Sequence, residues 1–101
     1  MKKYNSKQDE VLRIQSLMGL EDLNRERVIL LTNSLLNAIP RSFKGWKVKT
    51  KIVLFTQMII TGAEHHKQVG VEQLKEVLKE NPEYCDYYLN ISERLRLAAS
   101  Q

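Results

Sequence analysis

The sequence predicts an all-α protein, a compact bundle of four to five helices with an apolar face left over for self-association or a partner. Three observations predict it. Apolar residues recur at helical spacing along most of the chain. The 4 glycines and 2 prolines are few, and several stand where a helical pattern stops. Only one stretch alternates as a strand would, and a strand without a partner builds no sheet.

Asn5 or Ser6 can cap a first helix, with Asp9 and Glu10 in its opening turn, where the helix dipole favours acids. Val11, Leu12, Ile14, Leu17 and Met18 give it an apolar side, and Gly19 is a natural stop. A second helix is expected from about Leu20 to Ile39, ended by Pro40. Asn24 offers an alternative start for it. Val28, Leu31, Leu35 and Ile39 form one stripe, widened by Ile29 and Leu36, while Leu23 and Leu30 fall nearer the opposite side. A helix apolar on two sides needs two neighbours, and one of them can be a second copy of the chain.

The stretch KVKTKIVLFTQMII is the ambiguous one. Val48, Thr50, Ile52 and Leu54 alternate as in a strand, yet Ile52, Phe55, Ile59 and Ala63 share a helical face. We read a nearly all-round buried helix from Thr50 to about His66. Whether it starts earlier, at Trp46, or takes Thr50 as its N-cap stays open from the sequence. Gly70 then precedes a short helix, VEQLKEVLKEN, with Val71, Leu74, Val77 and Leu78 inward. Asn81-Pro82 makes a corner, and a last helix from Glu83 carries Tyr84, Tyr88, Ile91 and Leu95 as its seam. At 101 residues the chain fits a single helical domain, 1–101, with a basic inter-helix segment at 40–50.

Charge is unevenly placed. The net charge is +4, yet Arg41, Lys44, Lys47, Lys49 and Lys51 all fall in RSFKGWKVKTK, which has no acid. Outside residues 41–51 the chain is slightly acidic. Bases of this kind neutralise phosphates, and Phe43 and Trp46 beside them can stack on bases or brace a backbone contact. The same residues suit the acidic surface of a protein. A solvated hinge between helices is the bland alternative.

Other chemistry finds little support. A helix-turn-helix centred on Gly70 puts His66, Glu76 and Lys79 where small or apolar residues belong, and its recognition helix would carry three acids against two lysines. Adjacent His65 and His66 diverge by about 100° on a helix and cannot chelate as an i, i+4 pair does; near Gly70 they read as a surface feature of a helix end. Cys85 has no glycine elbow, P-loop or paired carboxylates around it and reads as a small core residue. We therefore expect no catalysis, no metal and no cofactor. A single cysteine, the lack of a signal-like apolar stretch after MKKYNSKQDE and the interrupted run from Ile52 to Ile60 point to a cytoplasmic protein away from the membrane.

The leading expectation is a non-enzymatic regulatory or adaptor protein that self-associates or binds a protein partner. Leu30, Leu36, Tyr84 and Tyr87 are its expected apolar interface, with the 41–51 bases steering an acidic surface. The alternative is a nucleic-acid-binding protein that sets Arg41, Lys44, Trp46, Lys47, Lys49 and Lys51 on phosphates.

Overall fold

Asn24 opens the first described helix because its side chain does what a helix start requires. Its Oδ1 accepts a hydrogen bond from the Arg27 amide at 3.1 Å, satisfying one of the amides that the first turn leaves unpaired. The computed structural model describes residues 24–100. Among them are four α-helices: α1 (Arg25–Asn37), α2 (Trp46–Thr61), α3 (Glu64–Glu80) and α4 (Cys85–Ala99), with a short 3-10 turn at Pro82–Tyr84 before the last. The expected helix over Val11–Met18 lies outside the described residues.

The all-α class holds among the described residues, the two helix starts the sequence leaves open are decided, and the boundaries on either side of Gly62 differ from those it suggests. α1 is the Asn24 alternative rather than a helix from Leu20. The segment at 40–50 is only half a connection, since α2 takes over at Trp46. Two tight turns make this possible: the Phe43 amide donates to the Pro40 carbonyl at 3.0 Å and the Trp46 amide to the Phe43 carbonyl at 3.1 Å. Thr50 is accordingly an interior residue and caps nothing.

The helix expected to run to His66 stops at Thr61, and the one expected after Gly70 starts at Glu64. The break is made by Gly62, whose backbone turns extended, ψ 166°, while its amide still donates to Met58. A Cβ at that position would lie 2.5 Å from the Met58 carbonyl oxygen, so the turn fits only glycine. Gly70 is instead buried inside α3. His65 and His66 sit in the first turn of α3, not at a helix C-terminus, with ring centroids 4.0 Å apart.

Helices α2 and α3 share the largest interface, and α1 and α4 pack against α2 and against each other. The core is drawn from all four: Val28 from α1, Ile52, Val53, Ile59 and Ile60 from α2, Leu74 from α3, and Tyr88 and Leu95 from α4. Each such side chain contributes about 1.5–3 kcal/mol on burial. α2 takes the central place its composition demanded, although Leu54 remains exposed with Lys47 and Lys51 along one strip.

Buried polar groups are paired locally. The Thr32 and Thr56 hydroxyls donate to the carbonyls of Val28 and Ile52, each at 2.7 Å. Lys67 of α3 reaches across to the end of α2, donating from Nζ to the carbonyls of Ile59 at 2.7 Å and Ile60 at 3.2 Å. It thereby caps carbonyls that the helix end leaves unpaired. Loss of solvent pulls the Lys67 pKa below its usual value, with Glu64 opposing and Arg25 adding to the shift.

The backbone amide of Asn24 donates to the Ala99 carbonyl at 2.8 Å, tying the start of α1 to the end of α4. No described helix is long and apolar enough to cross a membrane.

Candidate functional site

The turn between α1 and α2 and the first two turns of α2 carry the basic residues, and α4 holds that turn in place. Gly45, the residue before α2, is buried. The Tyr84 ring lies against it so closely that any Cβ there would collide with the phenolic oxygen. Phe43 closes the same spot, its Cε2 3.0 Å from where that Cβ would be. Glycine lets the Tyr84 and Phe43 rings approach here, and its backbone angles are ones any residue adopts.

A second contact lies one turn along. Lys49 places its ammonium 4.6 Å from the ring centroid of Phe43 and 4.6 Å from that of Tyr87. Arg41 sets its guanidinium 5.8 Å from the Trp46 ring centroid. Such contacts are worth about 0.5–1 kcal/mol each at exposed sites.

The predicted basic residues therefore divide. Arg41, Lys44, Lys47 and Lys51 are exposed, whereas Lys49 and Trp46 are half-buried. On α2, Lys47 and Lys51 lie about 40° apart around the helix axis, and Lys49 falls roughly opposite both. Among the described residues, no carboxylate lies within 4.0 Å of any of the five bases, and the one ion pair joins Arg96 to Glu93 at 2.7 Å. The first turn of α2 also holds no acid and no side-chain cap. Glu83 and Asp86, next in sequence to Tyr84 and Tyr87, are exposed.

The residues of the expected apolar interface stand in two places, Leu30 and Leu36 on α1 (with Ile29, also exposed, beside Leu30) and Tyr84 and Tyr87 around the start of α4. Leu30 is 65% exposed, but its helical neighbours Glu26, Asn33, Ser34 and Asn37 are all exposed polar residues. Leu36 packs against the core from the flank of α1. Tyr84 and Tyr87 belong to the basic turn instead, half-buried against Gly45 and Lys49. Two groups of residues that the sequence presents as separate, the bases and the tyrosines, thus form one site. Phe43, 40% exposed at its centre, joins them.

Burial pushes the Tyr87 phenol above its usual pKa, with Arg94 opposing. The unfolded phenol ionises first, near pH 10. Tyr87 therefore contributes its full stability below about pH 10 and loses it as pH rises through the folded pKa. Between about pH 9.5 and 11, urea midpoints should fall more steeply for the wild type than for Tyr87→Phe. Lys67, which acts with the opposite sign, is common to both proteins. Parallel slopes would mean that the phenol is solvated.

No protein-family model, curated protein or solved structure matches this chain. The site must be read on its own chemistry. Among the described residues, no group of three or more His, Cys, Asp or Glu is arranged to hold a metal ion. The arrangement offers unneutralised positive charge, an exposed and a half-buried aromatic ring, and a turn pinned to the body of the protein. Those are means of holding an anion-rich partner.

Proposed function

We propose that this protein is a non-enzymatic binding protein that holds the phosphate backbone of a nucleic acid at the end of the bundle formed by residues 41–51. The observation that carries the reading is that Arg41, Lys44, Lys47 and Lys51 are exposed together without a carboxylate partner. Bases left unpaired are free to exchange counterions for phosphates, which is the main source of affinity for nucleic acid. Phe43 and Trp46, beside them, supply flat faces for an unpaired base. A second reading, a regulatory or adaptor contact with an acidic protein surface, rests on the same charges and on Leu30, exposed on α1.

Trp46 is the only tryptophan and reports directly on the site. Its emission should change when ligand draws the Arg41 guanidinium from its ring. Titration with mixed-sequence single- and double-stranded DNA and RNA is expected to give saturable, salt-weakened binding. Four phosphate contacts on a duplex correspond to a log–log salt slope of about −3.6. Silence at low salt with every nucleic acid, supported by a blank gel shift, would transfer the site to an acidic protein partner.

A further inference from the structure

Lys49 differs from the other four bases in burial and in the side of α2 it occupies, and the difference assigns it another task. It is half-buried where they are exposed, it lies across α2 from Lys47 and Lys51, and its ammonium is held between two rings. The two rings come from different elements: Phe43 from the turn before α2, Tyr87 from the first turn of α4. To reach a phosphate, Lys49 would have to leave both.

We propose that Lys49 is a positioning residue, a clamp that fastens the basic turn to α4 and so fixes where Arg41, Lys44, Lys47 and Lys51 stand. Its role toward nucleic acid rests on the function proposed above; the clamp itself does not.

The contact is electrostatic and specific to a cation, because the ammonium meets the negative faces of the rings. An uncharged side chain of similar length fills the space without the attraction, whereas a guanidinium retains it. The Tyr84–Gly45 contact adds a second fastening that does not depend on charge. Loss of Lys49 should therefore loosen the turn and leave the fold intact. The amides of Phe43 and Trp46 report on the turn, since they donate to the carbonyls of Pro40 and Phe43.

The test is amide hydrogen exchange on the full chain, in wild type, Lys49→Gln and Lys49→Arg, with thermal melting as a check on the fold. Lys49→Gln should speed exchange at Phe43 and Trp46 by roughly tenfold, the loss of two ring contacts at exposed-site strength. Core amides of α3 should not change, and Lys49→Arg should restore slow exchange. Unchanged exchange in Lys49→Gln would overturn the clamp.

The same variants are then titrated with a mixed-sequence DNA duplex at several salt concentrations. Lys49→Gln should weaken binding with the salt slope of the wild type. A slope reduced by about 0.9 would make Lys49 one more phosphate contact and overturn the proposal. If the wild type binds no nucleic acid, the functional reading fails while the exchange result still decides the clamp.

Discussion

Gly70→Val is expected to destabilise the protein by about 2–3 kcal/mol, whereas Gly70→Ala should stay within about 1 kcal/mol of wild type. Gly70 sits in the middle of α3, buried where that helix crosses α2. A Cβ there would stand 3.0 Å from Ile59 Cγ1, 3.1 Å from the Phe55 carbonyl oxygen and 3.5 Å from Met58 Cβ. Alanine introduces that one atom. Ile59 and the Phe55 carbonyl must each give by a few tenths of an ångström, but alanine also recovers about 1 kcal/mol of helix propensity relative to glycine. The two effects nearly cancel.

Valine adds two further methyl groups at a point where one neighbour is backbone and cannot turn aside. The helices must then separate, and separation opens the most extensive interface of the fold. Urea titration at constant m-value would read the loss as a lower midpoint. A valine variant as stable as the wild type would show that α2 and α3 do not meet closely at Gly70.

The second large effect concerns binding. Replacing Arg41, Lys44, Lys47 and Lys51 together by glutamine is expected to abolish most of the salt dependence of nucleic-acid affinity. With four duplex contacts, wild-type affinity should fall roughly a hundredfold between 50 and 200 mM salt, and the variant should be nearly flat. The fold should survive, because these side chains are exposed and hold no carboxylate that their loss would strand. Circular dichroism and melting check that point. A variant that kept the wild-type slope would remove these residues from the interface, whatever the ligand.

Legibility in the sequence followed the range of the interactions involved. The helical class, the seam of Tyr88, Ile91 and Leu95 on α4, and the inward positions Val71, Leu74, Val77 and Leu78 on α3 were all readable. Each depends on spacing along one helix, which the sequence states directly. The clustering of five bases in residues 41–51 was equally plain.

The glycines were not readable in this way. In the sequence Gly70 looks like a helix boundary and Gly62 does not, yet Gly62 makes the break and Gly70 the close crossing. A glycine's meaning depends on what lies opposite it, and that is a property of packing rather than of pattern. The start of α2 was ambiguous for a related reason, since a first turn bearing Lys47 and no acid opposes the helix dipole. Burial of Gly45 under Tyr84 and half-burial of Trp46 place the turn regardless.

By itself, then, the sequence determined that the described chain would be helical, which faces would turn inward, and where positive charge would gather. Local periodicity and composition suffice for that. The tertiary structure alone decided that Lys49 stands apart from the other bases and that Tyr84 and Tyr87 lie against the basic turn. Those facts come from residues nearly 40 positions apart meeting across α2 and α4. Contact at that distance is settled by how helices pack, and no spacing along the chain encodes it.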